Sequence, residues 1–224
     1  MTLERPASFV TSWSGGKDSC LAHYRALQAG WQPRGLLNML TEDGQHSRSH
    51  GLAVEVLRAQ AAALGLPIVF RAATWEDYEA RFLDALRELK SSGVEAGVFG
   101  DIDVEAHRQW VEGVCARAGI RPCEPLWKEE RRTLLEEFIG SGFVAKIVVV
   151  SESALAPAFL GRTLDAGLIG EFEALGIDAS GENGEYHTVV TGGPAFSRPL
   201  DLEERDRCSR DGYAFLDLGV REGR

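Results

Sequence analysis

The chain has 224 residues, 44% of them hydrophobic and 26% charged, with a formal net charge of −10. This composition belongs to a water-soluble globular protein long enough for one large domain or two small ones, and the negative balance argues against gripping bulk nucleic acid, which needs dense lysine and arginine. No apolar run reaches membrane-spanning length and Thr2–Pro6 does not read as a secretory leader, so the expected location is cytoplasmic, with no membrane partner.

Phe9-Val10-Thr11 reads as a buried strand, and Cys20, Tyr24 and Leu27 recur at helical spacing after it, so a first helix is expected to run to Gly30. Gly35 to Leu40 is a second apolar strand. A polar connection from Thr41 to Gly51 follows, holding His46, Arg48, Ser49 and His50, and connections of that length are usually functional loops or disorder. A helix is expected at about Val54 to Leu64, a short strand at Pro67 to Arg71, and a helix bearing Phe82, Leu86 and Leu89. Val94 to Gly100 reads as another strand, ended by Asp101-Ile102-Asp103, and Glu105 to Ala118 as a helix with Trp110, Val114 and Ala118 on one side. Strand and helix alternate, which implies a parallel α/β sheet flanked by helices on both faces.

From about Pro122 the pattern changes. Cys123 to Trp127 reads as a proline-bracketed connector, Arg131 to Ser141 as a helix and Lys146 to Val150 as a strand, before a Gly-, Pro- and acid-rich remainder with a hairpin-like end. The expected division is residues 1–124 as a nucleotide-binding domain and 125–224 as a smaller α+β substrate subdomain. The four cysteines, Cys20, Cys115, Cys123 and Cys208, include no Cys-x-x-Cys pair, so reduced, idle thiols are expected.

Two stretches carry chemistry. Ser12-Trp13-Ser14-Gly15-Gly16-Lys17-Asp18-Ser19 sits at a strand-to-helix turn. There glycines let the main chain approach a ligand, and the first N–H groups of the helix face an anion. Lys17 adds a cation and Ser14 and Ser19 add hydroxyls. The spacing is neither that of a dinucleotide fingerprint nor that of a Walker loop. The second stretch is Gly181-Glu182-Asn183-Gly184-Glu185-Tyr186-His187-Thr188. Its two carboxylates three residues apart suit a turn that holds Mg²⁺, binds an amine or takes protons, although such turns in isolation are more often solvated loops. His187 follows that turn and is the best histidine for proton handling, whereas His50, His107 and His187 all have plain readings as hydrogen-bonded or surface residues. Asp101, at a strand end, binds metal, ribose or substrate, or caps the next helix.

Ser14 to Ser19 resembles, residue for residue, the pyrophosphate loop of the N-type ATP pyrophosphatases, which split ATP between the α and β phosphates. Together with Gly100-Asp101-Ile102, His107-Arg108, Trp110, Glu124-Pro125-Leu126-Trp127, Gly161-Arg162 and Gly181 to Thr188, the chain resembles the diphthine-ammonia ligase family, including its uncharacterised bacterial branch. The resemblance implies an adenine-nucleotide α-hydrolase-like, Rossmann-like amino half and a family-specific substrate subdomain. It implies ATP and Mg²⁺ as cofactors, adenylation of a carboxylate acceptor, release of pyrophosphate, and attack by ammonia to give an amide and AMP. The acceptor is a protein side chain such as diphthine or a small-molecule acid, and a homo-oligomer is left open. Candidate nucleotide-binding residues are Ser12, Ser14, Gly15, Gly16, Lys17, Asp18, Ser19 and Asp101, with Asp18 meeting the metal through ATP. Candidate substrate-binding residues are His50, Asp101, His107, Arg108, Glu182, Asn183 and Glu185, and the candidate catalytic residues are Lys17, Asp18, Glu182, Glu185 and His187. The alternatives are a related tRNA-modifying enzyme and a non-catalytic module that binds ATP or AMP.

Overall fold

The computed structural model describes residues 7–221, which leaves Thr2–Pro6 outside the described residues. The chain forms two compact units. One holds the described residues up to Ser14 with Asp18–Arg48 and Gly65–Glu129; the other holds Gly15–Lys17, Ser49–Leu64 and the described residues from Glu130 onward.

The first unit is built on a parallel sheet of strands β1 (Ser8–Ser12), β2 (Gln32–Leu40), β3 (Ile68–Ala72), β4 (Ala96–Val98) and β5 (Arg121–Cys123), in the order β3-β2-β1-β4-β5. Helices α1 (Lys17–Gln28), α3 (Tyr78–Ser91) and α4 (Glu105–Ala118) carry the chain between strands. Strands covered on both faces must be apolar throughout, and Phe9, Val10, Leu36 and Leu37 are accordingly buried. A core of Val10, Leu37, Met39, Phe82, Leu86, Phe99, Val111, Val114 and Ile120 joins sheet to helices, with Trp110 partly buried against it. On α1, Cys20, Leu21, Ala22, His23 and Ala26 are buried while Tyr24 and Leu27 are half-buried, so of the stripe that Cys20, Tyr24 and Leu27 suggest only Cys20 lies at the centre of the buried face. The alanines allow close approach, and buried His23 is satisfied by Thr11 Oγ1 at 2.7 Å. β5 contains Pro122 and takes in Cys123, the first residue of the expected connector. It is an edge strand, where a residue lacking N–H costs the ladder little.

β1 lies between β2 and β4, so successive connections leave it in opposite directions. This is the switch point at whose carboxyl edge open α/β sheets bind ligands. Gly100, just past β4, is pressed there against α1: a Cβ on it would stand 2.8 Å from Asp18 C and Ser19 N.

In the second unit, strands β6 (Val144–Ser151), β7 (Tyr186–Gly192), β8 (Leu202–Arg210) and β9 (Tyr213–Val220) form an antiparallel sheet in the order β7-β6-β9-β8, accompanied by α2 (Val54–Leu64), α5 (Arg131–Gly140) and α6 (Ala166–Ala174). Glu130 caps α5 by accepting from the amides of Arg132 and Thr133, and Asp165 caps α6 through Leu168 N. The hairpin-like end is β8-β9, turned at Asp211 and Gly212, both with positive φ as a tight two-residue hairpin turn requires. Edge strand β8 is exposed and heavily charged, which discourages pairing with other chains. Among the described residues, no helix is long and apolar enough to cross a membrane.

Candidate functional site

The glycine loop is held by its own unit. Gly15 has φ 86°, a left-handed conformation that a side chain would strain. Its carbonyl accepts from Val190 N at 2.9 Å and from Gln60 Nε2 at 2.9 Å, and Gln60 also donates to Val190 O at 2.8 Å. Gly16 abuts His50, whose Cε1 would lie 2.2 Å from a Cβ placed there. Lys17 opens α1: its amide donates to Thr188 Oγ1 at 3.1 Å, its Nζ to Glu182 Oε1 at 3.3 Å, and the ammonium stands 5.8 Å from the centre of the Tyr186 ring. Residues 165 positions apart thus meet within one unit. In the other unit the Ser14 and Ser19 hydroxyls are 3.0 Å apart, Asp18 is half-buried in the first turn of α1, and Ser12 ends β1 opposite Leu37 of β2.

The two carboxylates of the acidic turn are put to different uses. Glu185 is buried and accepts from Asp178 N, Asn183 N and Asn183 Nδ2 at 3.2, 3.0 and 3.2 Å, so it and Asn183 brace the turn. Glu182 instead faces Lys17. The His187 ring lies 4.6 Å from that of His50, tilted by 33°. His50 Nδ1 is 2.8 Å from Thr188 O; a carbonyl only accepts, so Nδ1 carries the hydrogen. Burial, helped by the Lys17 charge, lowers the His50 pKa to about 4 and keeps the ring neutral.

In the first unit, Asp101 leaves the β4 end and faces His107 Nδ1 at 3.3 Å, while His107 itself is largely exposed on α4. Burial raises the Asp101 pKa, His107 partly offsets this, and the Asp18 charge adds to the rise. Arg108 donates through Nε to Glu112 Oε1 at 2.9 Å and lies 4.9 Å from the Trp127 ring centre. Beyond these candidates, two residues stand out. Gln60, fully buried on α2, holds the loop carbonyl; its sequence signal is a lone amide between Leu57 and Ala61. Glu124, directly after β5, has a buried side chain whose pKa burial pushes up to about 7, with the Asp101 charge adding to the rise. Its signal is an acid at a strand end before proline.

In the first unit the Ser14 and Ser19 hydroxyls and the amides of the first turn of α1 suit phosphate oxygens, and in the second the Lys17 ammonium has the same preference. The Asp18 carboxylate suits Mg²⁺, which binds through one or two carboxylates together with phosphate oxygens. Among the described residues, no group of three or more His, Cys, Asp or Glu side chains is arranged to hold a metal by itself. All four cysteines are free; Cys20, Cys115 and Cys123 are buried, and burial first of all pushes the Cys115 and Cys123 thiols up to about 12.

The N-terminal domain of diphthamide synthase matches residues 8–122 and its C-terminal domain residues 130–220. The chain belongs to the diphthamide synthase family. Within it, the diphthine–ammonia ligase of Danio rerio is 29% identical over 92% of this chain and 90% of its own length. The diphthine–ammonia ligase of Homo sapiens is 27% identical over 92% of this chain and 86% of its own. That of Schizosaccharomyces pombe is 26% identical over 86% of this chain but only 36% of its own length. Among solved structures, a predicted subunit of tRNA methyltransferase from Methanocaldococcus jannaschii aligns over 84% of this chain and 98% of its own, with 15% identity and a TM-score of 0.45.

Proposed function

We propose that this member of the diphthamide synthase family is an ATP-dependent ligase that joins ammonia to an adenylated carboxylate. The observation that carries the reading is the contact between the two motif stretches: Lys17 of the glycine loop bonds Glu182 of the acidic turn, and Thr188 and Val190 hold the loop backbone. In this reading Ser14 to Ser19 hold the β and γ phosphates, with Ser12 and Asp101 on the nucleotide. Asp18 would hold Mg²⁺ together with them, and the bound ion would supply positive charge to the phosphate oxygens. An acceptor carboxylate oxygen attacks the α phosphorus, the bond to the β phosphate breaks, and Lys17 with the helix amides neutralises the leaving group. Ammonia then attacks the acyl carbon and AMP leaves. Because ATP supplies the activated acyl group, no nucleophilic serine or cysteine is required. His50, His107, Arg108 and Glu182 are assigned to the acceptor, Asn183 and Glu185 to bracing the turn that carries Glu182, and His187 to moving protons. The name of the relatives favours diphthine as acceptor and ammonia as nitrogen donor.

The test is to incubate the protein with ATP, Mg²⁺, ammonium and diphthine-bearing elongation factor 2 and to separate the nucleotides. AMP and pyrophosphate are expected in equal amounts; ADP as the only product removes the reading. Lys17→Ala is expected to remain folded and to lose about 100-fold in pyrophosphate release.

A further inference from the structure

Glu124 follows β5 on the carboxyl edge of the parallel sheet, beside the segment in which Asp101 leaves β4. Its side chain is 1% exposed, yet Oε1 has no hydrogen-bond partner. Arg108 Nε stands 3.9 Å from Oε2, beyond hydrogen-bond length, and is committed to Glu112. The charged and titratable groups bearing on Glu124 are Asp101 past β4, Glu105, Arg108 and Glu112 on α4, Cys115 on the same helix, and Cys123 on β5. Acids therefore outnumber the single arginine, and an anionic ligand is disfavoured. A buried acceptor left open is costly, and a catalytic role or a bound ion is among the physical reasons for keeping one. A nitrogen cation, small and rich in N–H donors, matches an open carboxyl oxygen with like charges behind it.

We propose that Oε1 of Glu124 receives the ammonium cosubstrate and takes one of its protons, freeing the ammonia that attacks the acyl-adenylate. This rests on the ligase reading above. One N–H bond of ammonium breaks as an O–H bond forms at Glu124. The nitrogen lone pair then bonds to the acyl carbon while the bond from that carbon to the AMP oxygen breaks with its electrons, and the second proton passes from the new amide nitrogen to solvent. The carboxyl pKa of about 7 leaves Glu124 able both to accept and to release the proton near neutrality.

The experiment compares wild type with Glu124→Gln near neutral pH, using ATP, Mg²⁺, diphthine-bearing elongation factor 2, and either ammonium chloride or hydroxylamine. Hydroxylamine is already neutral there and needs no proton removed before it attacks. The variant is expected to lose about 100-fold in amide formation with ammonium while hydroxamate formation stays within a few-fold of wild type. Equal losses with both nucleophiles, or no loss with ammonium, overturn the proposal and leave the ligase reading standing. No AMP from wild type with either nucleophile brings down the ligase reading and this inference together. Glu124→Asp keeps a carboxylate one methylene further back and should show the same nucleophile-selective loss to a smaller degree, which decides the matter if the glutamine variant does not fold.

Discussion

Removing the charge at Glu124 should change how the stability of the first unit depends on pH. In the fold this carboxyl titrates at about 7 instead of its ordinary 4.5, chiefly because it is buried. The folded state therefore keeps the proton after the unfolded chain has released it, and stability falls as pH rises from 4.5 through about 7, then levels. At 1.36 kcal/mol per pH unit the full effect is about 3 kcal/mol. Glu124→Gln has no such titration, so its stability relative to wild type should climb by about 3 kcal/mol across that window, whatever its absolute level. All five tryptophans, Trp13, Trp31, Trp75, Trp110 and Trp127, lie in the first unit, so urea unfolding followed by tryptophan fluorescence reports on that unit. The histidine titrations are common to both proteins and cancel in the difference. A difference that stays constant within about 0.5 kcal/mol between pH 5 and pH 8 would refute the assignment of Glu124 as a buried, donor-poor carboxyl.

His23 has the opposite sign: burial lowers its pKa from 6.5 to about 4, so its contribution is complete above 6.5 and is lost as pH falls toward 4. His23→Asn, which can still meet Thr11, should flatten the acid limb of the same urea curves. Gly16→Ala must push His50 aside, since its Cβ would lie 2.2 Å from Cε1. About 2 kcal/mol of stability and at least tenfold of ATP affinity should be lost, and unchanged calorimetric ATP binding would contradict the packing. Glu182→Gln removes the carboxylate charge that meets the Lys17 ammonium, so ATP affinity should rise by about fivefold, the equivalent of about 1 kcal/mol, while amide formation falls. A fall in both would show that Glu182 supports the loop and does not compete with phosphate.

Local physics made much of this protein readable in one dimension. Apolar strands alternating with amphipathic helices announced a parallel sheet covered on both faces, and α2 and α4 begin and end where their periodicity begins and ends. The phosphate loop was legible because the whole run Ser14 to Ser19 stands between an apolar strand and an amphipathic helix. Other features depended on what packs where. β5 is three residues long with a proline inside, and only its place at the sheet edge makes it a strand. The buried face of α1 includes Ala22 and Ala26, whose small size matters only against a sheet. Glu182 and Glu185 are equivalent in the sequence. Three donors from Asp178 and Asn183 turn Glu185 into a brace, and Lys17, 165 residues away along the chain, draws Glu182 to the loop. The sequence by itself determined the residue types and their order, and through them the sheet, the phosphate loop and the acidic turn. Tertiary structure alone decided which polar groups are buried, which are satisfied and which, like Oε1 of Glu124, are left open, because desolvation and hydrogen bonding depend on neighbours that chain order does not reveal.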